Sequence, residues 1–99
     1  MTVTYHEDAL IDLQEAIQYY SQVSWKLTAE FETEFQSFLT TVRTNPFHYH
    51  FTKNKRHRRA NLKRFPYRIL YRFNEETSTI RILAICHDKR HPSFGLNRQ

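Results

Sequence analysis

Two strand-like segments dominate the second half of the chain, Phe65-Pro-Tyr-Arg-Ile-Leu-Tyr-Arg-Phe73 and Thr79-Ile-Arg-Ile-Leu-Ala-Ile-Cys-His87. Successive side chains of an extended chain point to opposite faces, so each segment has one apolar face and one face mixed with cations. A four-residue loop, 75–78, keeps both apolar faces on the same side and pairs Tyr71 with Ile82. The pattern predicts an antiparallel hairpin with one face available to a core.

The same register predicts which side chains share the cationic face. Arg68 then faces Ile85, and His87 becomes a diagonal neighbour of Arg68, roughly 7–8 Å away between Cα atoms, on the side that helices do not cover. Cys86 falls on the apolar, helix-facing side and is predicted to be an inert core thiol. A further short strand is predicted within residues 58–64, where apolar and polar residues alternate.

The acidic first half predicts a strand followed by two helices. Residues 2–5 are β-branched and aromatic, which favours a short strand. Helical spacing runs from near Glu7 to about Gln22, with an apolar stripe of Ala9, Leu10, Leu13, Ala16, Ile17 and Tyr20. Ser24 suits the N-cap of a second helix, which Asn45-Pro46 ends and whose inner face carries Phe31, Phe35, Phe38 and Val42. We predict an α+β fold in the order β-α-α-β-β-β, an antiparallel helical hairpin on one face of a small antiparallel sheet.

Length and composition limit the class of protein. Ninety-nine residues suit one domain, residues 1–99, with a single core. The single cysteine excludes an internal disulfide, and no apolar run reaches the ~20 residues of a membrane span. One glycine leaves no glycine-rich phosphate loop, and the N-terminus lacks the layout of a signal peptide. The sequence predicts a cytoplasmic protein with no membrane association.

Charge is divided unequally along the chain. Residues 1–45 contain 2 basic and 7 acidic residues, a net charge of −5, whereas residues 46–99 contain 13 basic and 3 acidic residues, a net charge of +10. Because part of this positive charge falls on predicted strands, we expect a folded cationic surface that attracts an anionic partner. The densest part is residues 53–59, with five cations in seven residues. A solvated loop that only aids solubility is the alternative interpretation.

Seven cations are predicted to contact a macromolecular partner, because positive charge of this density is typical of phosphate or acidic-peptide binding. They are Lys53, Lys55, Arg56, Arg58, Arg59, Arg72 and Arg81. Strand parity directs Tyr67, Tyr71 and Phe73 inward, so these aromatic residues are predicted to be core residues and not base-stacking platforms.

His87 is the candidate for acid–base chemistry. Metal-free RNA cleavage needs an acid, a base and cations that stabilise the charge developing on phosphorus, and His87 with Arg68 and Arg90 supplies these residue types. The alternative is that His87 only caps the end of the sheet. The His48-x-His50 pair has no neighbouring cysteine or carboxylate, so we predict no metal site, and no cofactor is expected.

Four motifs occur in a fixed order along almost the whole chain. They are Ala9-x-x-Asp12-Leu-x-Glu15-Ala-x-x-Tyr19-Tyr20, Phe31 to Phe38 followed by Asn45-Pro46, Phe65-Pro-Tyr-Arg-Ile-Leu-Tyr71, and Ile82-Leu-Ala-Ile-Cys-His87-x-x-Arg90-x-Pro92. In this combination the chain resembles the RelE/ParE superfamily of bacterial toxins from type II toxin–antitoxin systems, in particular the ParE-like (plasmid stabilization) branch. The resemblance implies a strand, a helical hairpin and a three-stranded antiparallel sheet. It also implies a cognate antitoxin whose acidic or amphipathic segment wraps the basic surface in a heteromeric complex.

The resemblance implies one of two cellular targets. ParE-like toxins inhibit DNA gyrase and cleave no RNA, whereas RelE-like toxins cut messenger RNA on the ribosome with basic residues and often a histidine or tyrosine. The Phe65-Pro-Tyr and His87-x-x-Arg90-x-Pro92 segments resemble the ParE-like branch, and the C-terminal aromatic residue is Phe94, which has no ionisable group. We expect a growth-inhibiting toxin that acts on gyrase. Ribosome-dependent mRNA cleavage is the alternative, and a non-toxic nucleic-acid-binding or assembly domain is the third interpretation.

Overall fold

Four strands and two helices make up the fold in the computed structural model, which describes residues 1–99. In chain order the elements are β1 (Thr2–Tyr5), α1 (Glu7–Val23), α2 (Trp25–Thr44), β2 (Arg58–Asn61), β3 (Tyr67–Asn74) and β4 (Thr79–His87). The predicted α+β fold and the β-α-α-β-β-β order are confirmed.

Side-chain and main-chain caps fix the ends of both helices. The imidazole Nδ1 of His6 accepts a hydrogen bond from the Asp8 amide at 3.0 Å at the start of α1. Ser24 Oγ accepts a hydrogen bond from the Leu27 amide at 3.3 Å at the start of α2, and the Asn45 amide closes the last turn of α2. The predicted cap and stop of the second helix are confirmed. Neither helix is long and apolar enough to cross a membrane.

All four strands join one sheet in the order β1-β4-β3-β2. β2, β3 and β4 are antiparallel neighbours as predicted, and β1 adds a parallel pair with β4, so the sheet is mixed. The two helices pack on one face of the sheet, called here the helix face. Residues 88–99, called the tail, cross the opposite face, called the tail face. β4 is central although it comes last among the strands.

The register of the β3–β4 hairpin changes at a β-bulge. Tyr71 pairs with Ile82 as predicted, but Leu70 pairs with Ala84, so Leu83 is an extra residue in β4. An inserted residue reverses the alternation of every side chain beyond it. In the second half of β4, each side chain therefore lies on the face of the sheet opposite to the one that a regular strand would give it.

Three placements predicted from the sequence are wrong because of this bulge. Arg68 faces Cys86 instead of Ile85, and the buried Cys86 lies on the tail face instead of the helix face. His87 faces Tyr67, so it lies on the helix face and not beside Arg68 on the other side of the sheet. Ile85 is correspondingly a core residue beneath the helices.

The main core lies between the helices and the sheet. A cluster of aromatic rings closes one end, where Tyr20 lies 5.4 Å from Phe31 and 5.0 Å from Phe65 between ring centroids. Burying a side chain of this size stabilises the fold by roughly 1.5–3 kcal/mol. Leu10, predicted to be in the buried stripe, is 43% exposed. The rest of the core consists of Ala9, Phe35, Phe38, Leu39, Val42, Ala60, Ile69, Tyr71, Ile80, Ile82 and Ile85.

The tail supplies a second, smaller core on the tail face. Phe94 and Leu96 pack on the buried residues Leu70, Leu83, Ala84 and Cys86. Between them Gly95 has a φ of +82°, and a Cβ atom there would lie 2.6 Å from the Cβ of Ala84. Only glycine combines this backbone conformation with such a close approach. The tail thus covers the apolar part of β4 and leaves a groove beside it.

Candidate functional site

The imidazole of His87 lies on the helix face at the end of β4. Its ring packs edge-on against Tyr67 with centroids 5.1 Å apart, and its Nδ1 accepts a hydrogen bond from the Lys89 amide at 3.1 Å. This bond assigns the proton of the neutral ring to Nε2. His87 and Arg90 both line a cleft of about 170 Å³ against α1, together with Glu15. One cleft therefore brings together an imidazole, a guanidinium and a carboxylate.

The guanidinium of Arg68 is bound within the fold on the tail face. It donates hydrogen bonds to the backbone carbonyl oxygens of Arg90 at 3.2 Å and His91 at 3.0 Å, and a longer one to that of His87 at 3.4 Å. The side chain is 11% exposed, and a carboxylate oxygen of Asp88 lies 3.9 Å away. Arg68 anchors the start of the tail and does not share a face with the His87 imidazole. A catalytic role for His87, Arg68 and Arg90 stays a prediction.

The cations of residues 53–59 differ in how they are used. Three are exposed in the turn before β2: Lys53, Lys55 and Arg56. Arg58 is half-buried and donates a hydrogen bond to the Tyr49 carbonyl oxygen at 2.8 Å, with its guanidinium 3.8 Å from the centre of the Phe51 ring. Arg58 therefore holds the 47–51 segment in place, and the three exposed cations are free to meet a partner.

His57 is buried beneath this turn. Its Nδ1 accepts a hydrogen bond from the side-chain amide of Asn54 at 3.0 Å. Burial, and then the positive charges of Arg72 and Arg56, lower the pKa of His57 from its ordinary value of 6.5. The folded turn thus contains a neutral imidazole among cations.

Three further predicted contact cations lie on the tail face. Arg59 is exposed, and Arg72 sits directly opposite Arg81 in the β3–β4 ladder. Arg81 donates hydrogen bonds from Nε to the Gln99 carbonyl oxygen at 2.9 Å and from Nη1 to Thr4 Oγ1 at 3.3 Å. None of the seven predicted contact cations forms an ion pair with an aspartate or glutamate side chain. The surface keeps its positive charge, although Arg58 and Arg81 are held by hydrogen bonds to the protein itself.

A groove of about 350 Å³, called here the tail groove, opens on the tail face between residues 51–53 and the tail. No aspartate or glutamate lines it. Its apolar lining is Phe51, Leu70, Cys86, Pro92, Phe94 and Leu96, and its cations are Lys53, Arg59 and Arg68. Sequence analysis missed the groove because its walls come from segments that are distant in sequence. The available signal was Phe51, an aromatic residue next to the basic run.

The thiol in the groove wall is not a nucleophile. Burial raises the pKa of Cys86 to about 11, and the thiol lies 3.8 Å from the Phe94 carbonyl oxygen, to which it donates a weak hydrogen bond. The thiolate is the reactive form of cysteine, so a raised pKa suppresses reaction near neutral pH. No group of three or more histidine, cysteine, aspartate or glutamate side chains is placed to hold a metal ion.

An ion pair of low exposure binds main-chain groups of β4 beyond Ile82, where β1 no longer pairs with this strand. The Asp12 carboxylate accepts hydrogen bonds from the Ile85 amide at 3.0 Å and from the Arg98 guanidinium at 2.7 Å. Arg98 also donates a hydrogen bond to the Leu83 carbonyl oxygen at 3.1 Å. The two side chains, 12% and 15% exposed, connect α1, the bulge of β4 and the tail. Sequence spacing gave no sign of this pair, since its members are 86 residues apart.

Comparison with known proteins identifies the family of this fold. A family model described as "ParE toxin of type II toxin-antitoxin system, parDE" matches residues 3–92, from β1 to the first part of the tail. No curated protein matches the chain. The matched span includes the exposed basic turn, the His87 cleft and most of the tail groove. Membership implies a cognate antitoxin as a partner. The chain therefore belongs to the ParE toxin family of type II toxin–antitoxin systems.

Proposed function

We propose that this protein inhibits bacterial growth by binding DNA gyrase in the cytoplasm, and that its cognate antitoxin neutralises it in a heteromeric complex. The family supports the toxin role. One observation carries the choice of target: the Arg68 guanidinium is bound to main-chain carbonyl oxygens on the tail face, whereas the His87 imidazole lies on the helix face. RNA cleavage needs its acid, base and cations around one phosphate, so this separation favours a toxin that acts by binding.

Inhibition by binding requires a surface with a fixed shape and charge. The exposed cations suited to this role are Lys53, Lys55, Arg56 and Arg59. None of them is neutralised by a carboxylate of the protein, so their field extends into solvent and steers an anionic surface towards them. In this proposal gyrase and the antitoxin bind the same cations. The antitoxin therefore neutralises the toxin by occupying the surface that would otherwise bind gyrase.

Ribosome-dependent mRNA cleavage is the second candidate, because His87 and Arg90 line one cleft with Glu15. In that role His87 transfers a proton and Arg90 stabilises negative charge on the phosphate. The protein would then be an endoribonuclease, whereas a gyrase inhibitor needs no catalysis of its own.

Two assays on the same protein test the target. Toxin freed from its antitoxin is added to purified gyrase, and messages from induced cells are mapped by primer extension. We expect supercoiling to be inhibited while the messages stay intact. The triple variant Lys53→Gln, Lys55→Gln, Arg56→Gln should inhibit gyrase less well, and Lys26→Gln, which removes a cation from α2, should behave as the wild type.

Other outcomes separate the alternatives. Cuts at fixed positions within codons, reduced about 100-fold by His87→Ala, with supercoiling unaffected, would replace gyrase by messenger RNA as the target. Normal growth after induction without the antitoxin would exclude both toxin mechanisms and support the third interpretation, a non-toxic nucleic-acid-binding or assembly domain.

A further inference from the structure

We propose that the tail groove binds an aliphatic carboxylic acid of medium chain length as its anion, with the apolar chain on the groove floor and the carboxylate between Lys53 and Arg59. The proposal does not depend on gyrase being the target, since it concerns a small ligand of the isolated protein. It assigns a ligand class to a cavity that the sequence patterns did not predict.

The floor of the tail groove is apolar and is formed without any ligand. Leu70 belongs to the buried cluster of the tail face, on which Phe94 and Leu96 of the tail pack. The guanidinium groups of Arg90 and Arg98 lie 5.0 Å and 4.8 Å from the centre of the Phe94 ring and hold it in place. The groove volume of about 350 Å³ lies within the range for small-molecule sites, roughly 300–1,000 Å³. A saturated chain can follow this floor and brings no polar atom that the floor would leave unpaired.

The charge around the groove favours an anionic head group. Lys53 and Arg59 line the groove, both are exposed, and neither is paired with an aspartate or glutamate side chain. No aspartate or glutamate lines the groove. The Cys86 thiol in its wall stays uncharged near neutral pH, because burial raises its pKa to about 11. An anion at this rim is therefore attracted by two cations and meets no negatively charged side chain.

The number of available cations indicates a head group with one negative charge. Arg68 also lines the groove, but its side chain is 11% exposed and already donates hydrogen bonds to the carbonyl oxygens of Arg90 and His91 at 3.2 Å and 3.0 Å. The exposed guanidinium of Arg59 can donate two parallel hydrogen bonds, a geometry that matches the two oxygens of a carboxylate. Lys53 adds a point charge beside it. A carboxylate thus uses both available cations without excess negative charge.

Isothermal titration calorimetry of the purified protein with decanoate, kept below its micelle concentration, tests the proposal. Decylammonium and decanol have the same chain without the negative charge, and citrate has negative charge without the chain. We expect decanoate to bind with a negative heat-capacity change, the sign of apolar burial, and the other three to bind at least about 10-fold more weakly. Octanoate should bind more weakly than decanoate, by up to about 4-fold for each methylene group lost from the floor.

Two substitutions in the groove should weaken decanoate binding by different routes. Arg59→Gln should raise Kd about 10-fold, because it removes charge-assisted hydrogen bonds to the head group. Ser93→Phe should abolish binding, because the added ring fills the groove beside the tail. The matched controls are Arg56→Gln, which removes an exposed cation of the same turn outside the groove, and Ser21→Phe, which adds a ring to the exposed surface of α1. Both controls should bind decanoate as the wild type does.

All four variants should retain the wild-type melting temperature, and if Ser93→Phe does not, Arg59→Gln decides the outcome. Equal losses in Arg59→Gln and Arg56→Gln would overturn the proposal, since binding would then be a general attraction to the basic turn. Decylammonium that binds as tightly as decanoate would also overturn it, because the cations would then play no part. So would a wild-type protein that takes up no decanoate.

Discussion

At the scale of single residues, the geometry of the basic turn depends on the side chain of Asn54 within it. Asn54 Oδ1 accepts hydrogen bonds from Thr52 Oγ1 at 2.6 Å and from the Arg56 amide at 2.9 Å, while its Nδ2 donates to His57. This arrangement requires an unprotonated Nδ1 on His57. The geometry of the exposed cations is therefore coupled to the protonation of a buried imidazole.

Acidification should loosen this turn. The pKa of His57 is lowered in the folded state by burial and by two arginines, so the unfolded chain takes up the proton first as the pH falls below the ordinary value of 6.5. Folded stability is then lost between that value and the lower folded pKa. We expect urea unfolding between pH 8 and pH 5 to show a steeper loss for the wild type than for His57→Gln. Identical slopes would mean that His57 has the same pKa in both states.

At the scale of elements, periodicity and capping residues predicted both helices and the antiparallel pairing of β3 with β4. Ser24 and Asn45-Pro46 marked helix ends correctly, because caps act within one turn of their own position. The bulge at Leu83 could not be predicted in this way. Residues 82–86 are all apolar, so their pattern contains no alternation that would reveal an extra residue. The side chains beyond it, His87 among them, were therefore assigned to the wrong face.

The candidate site was predictable in composition but not in arrangement. The basic run located the positive surface, and the structure places Lys53, Lys55 and Arg56 in the open as expected. Which arginines are free could not be predicted, since Arg58 and Arg68 bind main-chain carbonyl oxygens whose positions depend on the whole fold. Charge density is a local property of sequence, whereas hydrogen-bond partners of this kind are set by tertiary structure.

The attachment of the tail gives a prediction for Gly95. A Cβ atom at this position would lie 2.6 Å from the Cβ of Ala84. The backbone here has a φ of +82°, so any other residue would have to adopt a left-handed conformation. Gly95→Ala should lower the free energy of unfolding by about 2–4 kcal/mol. Trypsin should also cut more rapidly at the exposed Lys89 and Arg90, and urea unfolding with limited proteolysis measures both effects.

An Ala84→Gly background is the control for this substitution. It removes the clashing atom and leaves the backbone strain, so Gly95→Ala should cost less there than in the wild type. The same cost in both backgrounds would show that the contact with Ala84 plays no part.

At the scale of the whole molecule, the two charged halves of the chain form two different surfaces. The helical hairpin contains most of the acidic residues, and the sheet with its turns contains most of the basic ones. In the proposed complex the antitoxin binds the basic surface through charges exposed to solvent, which salt screens over about 10 Å at 0.1 M. The affinity of the complex should fall as the salt concentration rises.

Removing charge from one surface tests where the antitoxin binds. The variant Lys53→Gln, Lys55→Gln, Arg56→Gln should bind the antitoxin more weakly at low salt and with a flatter salt dependence, measured by titration calorimetry. Lys26→Gln with Arg43→Gln removes cations from α2 and should keep the wild-type slope. A triple variant with an unchanged slope would place the antitoxin on another surface.

The central position of β4 has a consequence for synthesis. β1 and β3 both pair with β4, but β4 is translated after both of them. The parallel pair of β1 and β4 can form only when Thr79, the partner of Thr2, has been synthesised. Contacts this distant in sequence form late and slowly. A nascent chain that ends before β4 lacks the strand that joins β1 to β3, the bulge and the tail. The tail groove and the His87 cleft, both lined by residues of β4, therefore form only after β4 has left the ribosome, and a message truncated before that point encodes neither of them.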